Sequence, residues 1–266
     1  MSVNIDAVSR LIRDVAATEI MPRFDRLAAG EIEEKGPGDL VTVADRAAEL
    51  RLGPALAELL PGSVVVGEEA AASDPGILAR LSGEAPVWVI DPVDGTANFA
   101  AGIPLFGVMV GLIRRGSVVA GWIWDAPGQR MAIAEAGAGA RLNGRRLEVA
   151  PAREPERMSG ILTFRTGERT LAETVARNTP KVASHLSLRC VAHEYLLLAE
   201  GRIHFAHYNR TFPWDHAPGW LLHKEAGGFG RRLDGSPYDP AVIHGPILFA
   251  PDPESWQRLK ATLFAT

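Results

Sequence analysis

A chain of 266 residues, 47% hydrophobic and 23% charged, can bury a core as one large domain or two lobes, which excludes disorder as its dominant state. A net charge of −4 without a long Lys/Arg run offers no track for a nucleic-acid backbone or an anionic membrane, since Arg145-Arg146 and Arg231-Arg232 read as turn or strand-end pairs. Cys190, the single cysteine, excludes an internal disulfide and a cysteine-rich zinc site.

Apolar Ile5, Val8, Leu11, Ile12, Val15 and Ala16 recur at helical spacing and predict an opening amphipathic helix. Asp6, Arg10, Arg13 and Asp14 interrupt it, so it does not read as a secretory signal, and the expected protein is soluble and cytoplasmic. Residues 31–39 read as a polar loop. Thr42 has the character of a helix N-cap with Asp45 as its capping-box partner. That helix is expected to reach Leu60, with a kink or break at Gly53-Pro54, and to end at Pro61-Gly62.

Residues 63–66 form a short β-branched run that delivers Gly67-Glu68-Glu69, and residues 87–90 form a second, of the kind buried on both faces. The longest uncharged stretch, 95–113, holds Asn98, Pro104 and four glycines, and reads as loop plus buried strand rather than a membrane span. Strands over 106–113, 117–125 and 129–135, with a hairpin turn at Asn143-Gly144, predict an antiparallel meander. From about Pro151 helices and strands alternate. A helix over 191–200 is followed by a strand over 203–207 and a helix entered through Pro213-Trp214-Asp215 that ends at Gly227-Gly228. A strand over 247–250 and a final helix capped at Asp252-Pro253, with Trp256, Leu259 and Leu263 inward, complete the chain. The pattern predicts layered α and β structure in two lobes, residues 1–150 and 151–266, with a site between them.

Chemistry concentrates in Asp91-Pro92-Val93-Asp94-Gly95-Thr96. A buried strand ends in an acid, Pro92 fixes the backbone, a second acid follows, and Gly95 permits a tight turn. Carboxylates converging at a strand end repel one another unless protonated or bridged by a cation, and Mg²⁺ suits oxygen donors. The plainer reading is that Asp91 and Asp94 cap a turn and a short helix. The spacing fits neither an EF-hand loop nor the D-x-D of aspartyl-phosphate phosphatases. Glu68 follows another short strand, and its plainer role, like that of Glu69, is surface solvation. Asp215 has the plainer role of an N-cap.

Asp91-Pro-Val-Asp-Gly-Thr-Ala-Asn-Phe99 resembles the first signature of the inositol monophosphatase family, and Trp214-Asp215-His-Ala-Pro-Gly219, running into Glu225-Ala-Gly-Gly228, resembles the second. Gly67-Glu68-Glu69 and Gly38-Asp39-Leu-Val-Thr-Val-Ala-Asp45 are similar to two further segments in the expected order. The resemblance implies an α/β fold, the layered αβαβα sandwich of the sugar-phosphatase superfamily, and Mg²⁺-dependent hydrolysis of a small phosphorylated metabolite. It places Glu68, Asp91 and the Val93 carbonyl on one Mg²⁺, Asp91, Asp94 and Asp215 on a second, and a third, weaker ion near Glu68. Thr96 with Asp45 would orient and deprotonate the attacking water, and the N–H groups of Gly95 and Thr96 would hold phosphate oxygens. For Asp45 the capping box is a competing role. A homodimer and inhibition by lithium are further expectations of the family.

In the inositol-specific members a small-residue turn contacts the sugar ring, where this chain has Arg189-Cys190-Val191. Those members place a glutamate seven positions before the second-motif aspartate, where this chain has Tyr208. Arg189, Cys190 and Tyr208 are therefore the candidate substrate-selecting residues, and Arg189 either meets a second anionic group or forms a structural ion pair. Histidinol phosphate, sugar bisphosphates and nucleoside 3′,5′-bisphosphates are alternative substrates. A regulatory binding protein that keeps the fold is an alternative of another class, and a dinucleotide enzyme built on Gly137 and Gly139 lacks the third glycine. His204, His207, His216 and His223 read as ordinary surface or strand histidines, and Pro218, in place of the family's alanine, is expected to shift the start of its helix slightly.

Overall fold

The computed structural model of the chain describes residues 3–28, 30–163 and 169–265. Helix α1 (Ile5–Val15) opens on Asn4, whose side chain accepts from the Ala7 N–H, and buries Val8, Ile12 and Val15. Strands β1 (Ile32–Gly36) and β2 (Asp39–Thr42) pair as an antiparallel hairpin where a polar loop was expected. Side chains here are mostly polar and half-exposed, so no alternation betrays the pairing; Gly38, in the left-handed region at φ 73°, lets the chain reverse.

Helix α2 (Val43–Leu59) begins with the expected capping box of Thr42 and Asp45. It continues through Gly53-Pro54 to Leu59, as expected, with no break there. Pro54 is exposed and so is Leu50, whose carbonyl loses its helical donor on the side that water can reach.

Strand β3 (Val64–Gly67), helix α3 (Glu68–Ser73), strand β4 (Val87–Asp94) and helix α4 (Thr96–Ala100) follow. Strands β5 (Gly107–Arg114), β6 (Ser117–Asp125), β7 (Arg130–Glu135), β8 (Gly139–Leu142) and β9 (Arg145–Arg146) complete a seven-stranded sheet in sequential order from β3 to β9. Only the β3–β4 pair is parallel; the rest is the expected meander, with Asn143-Gly144 turning between β8 and β9 at φ 47° and 82°.

The second half of the chain comprises β10 (Ser159–Leu162), α5 (Arg169–Asn178), β11 (Ser184–Leu186), α6 (Val191–Ala199), β12 (Phe205–Arg210), α7 (Pro213–Glu225), β13 (Phe229–Arg232), β14 (His244–Ala250) and α8 (Pro253–Phe264). Its five strands order as β11-β10-β12-β14-β13. Three apolar contact zones fix the stacking. Val8, Ile12, Leu52 and Leu56 of α1 and α2 pack on Trp88, Val110 and Trp122 of the larger sheet. Val89, Met109 and Ile123 on its other face meet Leu196 and Leu221 of α6 and α7, which also pack on Ala206 and Phe249 of the smaller sheet. Leu162, Phe205 and Leu248 on the outer face of that sheet meet Val175, Trp256, Leu259 and Leu263 of α5 and α8. The result is the αβαβα layering expected from the resemblance.

Helix α7 sits close in this middle layer. A Cβ on Gly121 of β6 would lie 2.8 Å from the Pro218 Cα, and one on Gly219 would lie 2.0 Å from the Tyr195 ring. Among the described residues no helix is long and apolar enough to cross a membrane.

Candidate active site

Strand β4 is buried along its whole length, so Asp91 and Asp94 are carried into the interior by the apolar run before them. The β4–β5 register shifts between Asp91 and Asp94, where Pro92 has no N–H to give the ladder and the Val93 N–H turns back to Asp91 Oδ1 at 3.1 Å. Gly95 then takes φ 87°, and a Cβ there would stand 2.8 Å from the Leu105 carbonyl and 3.1 Å from the Cys190 Cβ. Both the backbone angle and the space require glycine. The Thr96 hydroxyl lies 3.1 Å from Asp45 Oδ1 and 2.9 Å from the Val93 carbonyl. Asp45 Oδ2 accepts from the Thr42 N–H at 2.9 Å, so its two oxygens divide between the helix cap and Thr96.

Glu68 opens α3, and its Oε1 is 2.8 Å from Lys35 Nζ; the same ammonium is 2.8 Å from Glu69 Oε1. Glu69 is therefore an ion-pair partner rather than the expected solvated surface acid. Lys35, which sequence reasoning passed over, sits on the unexpected β1–β2 hairpin, and no local spacing links it to Glu68. Asp215 is half-buried at the third position of α7, whose N-cap position is Phe212, so the plain N-cap reading of Asp215 does not hold. Pro218 lies inside α7 and leaves its start at Pro213.

The electrostatics of the cluster are uniform in sign. Burial, then repulsion from Glu68, Asp94 and Asp215, holds the Asp91 carboxyl well above the usual carboxylate range. Burial, then Glu68 and Asp94, does the same to Asp215. Burial pushes Glu68 up to about 7 in spite of Lys35, and Asp45 up to about 6. Burial also raises Asp94, opposed by the Cys190 thiol and by the N–H groups of Ala192 and Val191. These donors lie 2.9 Å, 2.6 Å and 3.1 Å from the Asp94 carboxylate oxygens, so the start of α6 grips Asp94.

Among the described residues no three His, Cys, Asp or Glu side chains are drawn together as a coordination shell. The chemistry of the donor set nevertheless fits a hard divalent cation: acids that repel one another, bind protons too readily for exposed carboxylates, and offer only oxygen. The candidate metal ligands thus share one electrostatic environment, with Asp45, Gly95 and Thr96 beside them.

Of the three candidate selecting residues, only Arg189 is exposed. Cys190 is fully buried against Asp94, and the buried Tyr208 packs its ring 4.8 Å from that of His216 and 5.7 Å from that of Tyr195. Glu194 of α6, also missed from sequence, is the carboxylate facing Tyr208; burial pushes it up to about 7. His207 lies on strand β12, as one expected alternative had it, and His216 and His223 lie on α7; all three are buried, and burial depresses each to about 3, which keeps them neutral.

The profile of the inositol monophosphatase family matches residues 3–264. An inositol-1-monophosphatase of Mesorhizobium japonicum is 35% identical over 211 residues, which cover 77% of this chain and 76% of that one. A fructose-1,6-bisphosphatase/inositol-1-monophosphatase of Aquifex aeolicus is 29% identical over 224 residues, covering 83% and 82%. Among solved structures, an IMPase of Thermotoga maritima aligns with a TM-score of 0.80 at 25% identity, covering 97% of each chain.

Proposed function

The chain belongs to the inositol monophosphatase family, and on that premise we propose that it hydrolyses a small phosphate monoester with the help of Mg²⁺. The observation that carries the reading is the set of mutually repelling acids at the end of β4, with Thr96 and Asp45 hydrogen-bonded beside it. Glu68, Asp91 and the Val93 carbonyl would hold one ion, Asp91, Asp94 and Asp215 a second, and a third, weaker ion would bind near Glu68. Mg²⁺ bound there would relieve the repulsion, polarise the phosphoryl oxygens and make water more acidic.

The chain's own residues then have distinct tasks. The N–H groups of Gly95 and Thr96 orient the phosphate. The Thr96 hydroxyl gives its proton to Asp45 and accepts one from the attacking water. Asp45, whose carboxyl burial raises to about 6 in the metal-free protein, lies 3.1 Å from that hydroxyl and is the carboxylate placed to take the proton. The P–O bond to the alcohol breaks as the water oxygen bonds to phosphorus, and the leaving oxygen takes its proton from solvent. The same reading includes a homodimer, sensitivity to lithium and a cytoplasmic location.

The test is phosphate release from inositol 1-phosphate, fructose 1,6-bisphosphate, histidinol phosphate and adenosine 3′,5′-bisphosphate, with Mg²⁺ or EDTA, for wild type and Asp94→Asn. Turnover should require Mg²⁺ and fall by roughly 100-fold or more in the variant. No turnover of any compound while Mg²⁺ is bound would sink the reading and favour a regulatory binding role.

A further inference from the structure

We propose that the substrate carries a second anionic group, a second phosphate or a carboxylate, and that Arg189 reads it. The inference rests on the phosphatase reading for where the reacting phosphate lies, and on the following geometry for the rest.

Arg189 occupies the left-handed region at φ 54°, which costs energy for any residue with a side chain. Among the described residues four other non-glycine residues do so. Arg115, Gln129 and Asn143 sit in turns between antiparallel strands, where that conformation is what reverses the chain, and Asp25 follows the opening helical segment. Arg189 belongs to no hairpin. It lies between β11 and α6, pinned from both sides. Before it, the Leu188 N–H donates to Glu194 Oε1 at 2.8 Å, and the Leu188 carbonyl accepts from the Asn98 amide at 2.9 Å. After it, the Cys190 thiol and the Val191 and Ala192 N–H groups are all engaged by Asp94.

Those anchors tie the loop to the proposed phosphate end of the site. Asn98 is two residues beyond Thr96, and the Cys190 Cβ lies 3.1 Å from where a Cβ on Gly95 would stand. The Cα of Arg189 is about 3.8 Å from that of Cys190. Its guanidinium is exposed and, among the described residues, has no hydrogen-bonding or ionic partner, so the structural ion pair considered from sequence is not formed. The loop that grips Asp94 thus carries a planar, permanently charged group, unpaired among the described residues, of the type that grips phosphate or carboxylate through two parallel hydrogen bonds.

Among the described residues, the family's glutamate position and its nearest acid do not supply a free carboxylate for sugar hydroxyls. Tyr208 is buried where the inositol-specific members carry a glutamate, and Glu194, the acid facing it, is buried and used on Leu188. The chain presents a cation where those members have a small-residue turn, and a buried tyrosine where they have the acid.

Two matched pairs test the proposal: adenosine 3′,5′-bisphosphate with adenosine 3′-monophosphate, and fructose 1,6-bisphosphate with fructose 1-phosphate. kcat/KM is measured for wild type, Arg189→Gly, Arg189→Ala and Arg189→Lys. Glycine removes the charge while relieving the left-handed backbone, so loss there is not a folding defect. Binding is measured separately by calorimetry in an Asp45→Asn background, which keeps the proposed metal ligands and slows turnover. At least one bisphosphate should be favoured over its partner by about tenfold or more, as a lost charged hydrogen bond implies. That preference should collapse towards unity in Arg189→Gly and Arg189→Ala and survive in part in Arg189→Lys. A wild type indifferent to the second group, or variants that lose both members of a pair in proportion, overturn the proposal. Arg189-dependent binding without any turnover removes the phosphatase reading and leaves this one standing; neither binding preference nor turnover removes both.

Discussion

Glu68 is the residue whose titration reports most directly on the acid cluster. Burial carries its carboxyl from 4.5 up to about 7, so in the metal-free protein it is mostly protonated at pH 6 and mostly ionised at pH 8. Raised in the fold, this group stabilises the metal-free protein fully below its unfolded value near 4.5, and the contribution is lost as pH rises through about 7. A cation demands the opposite state. Mg²⁺ affinity should therefore weaken about tenfold from pH 8 to pH 6, with proton release on binding. Calorimetry in buffers of different ionisation enthalpy measures both, and an affinity that ignores pH would show that Glu68 is not involved. Lys35 was invisible at this scale because it pairs with Glu68 across 33 positions on a hairpin whose side chains carry no strand pattern. The capping box of Thr42 and Asp45 was visible because its partners are three residues apart.

Helix α7 carries Asp215, and its position depends on how closely it can approach the larger sheet. Gly121 of β6 faces the Pro218 backbone, with a Cβ position 2.8 Å from its Cα and 3.0 Å from its carbonyl oxygen. Gly121→Ala should push the helix outward, destabilise the fold by about 1–3 kcal/mol and weaken Mg²⁺ binding through Asp215. Urea unfolding and calorimetry read the two effects; unchanged values in both would mean that α7 is not wedged at this point. Elements with a strong local signature were legible: β4 as an unbroken apolar run, α1 from its periodicity, and α8 from Asp252 and its inward stripe. Strands β10, β11 and β13 were not, since runs of three or four residues such as Ser184–Leu186 show no usable period. Helix α2 continues through Gly53-Pro54 with no break, one of the two outcomes expected there, because the cost of a helical proline depends on whether water can reach the orphaned carbonyl, which only the fold decides.

Across the whole molecule, the proposed ligands come from both halves of the chain, and the grip on Asp94 crosses between them through Cys190, Val191 and Ala192. Binding one cation then couples the halves. At a Mg²⁺ concentration 100-fold above Kd, stability should rise by about 2.7 kcal/mol, or on the order of 5–10 °C in Tm. Asp91→Asn and Asp215→Asn should each abolish the increment in a thermal scan. An increment that survives in both places the ion elsewhere.

The sequence by itself determined the family and the order of its acidic segments, because its signatures survive as contiguous text: Asp91 to Phe99, Trp214 to Gly219, Gly38 to Asp45 and the short Gly67-Glu68-Glu69. It also determined the main helices and the buried strands, whose patterns repeat within a few residues. Tertiary structure alone decided which side chains serve those acids. The Cys190 thiol on Asp94, the Lys35 ammonium on Glu68 and the Glu194 carboxylate on Leu188 are contacts made by packing five layers, and two of the three join residues more than 30 positions apart. It also left Arg189 exposed, without a partner among the described residues and fixed in a left-handed turn, a state set by the anchors on either side of it and written in no local pattern.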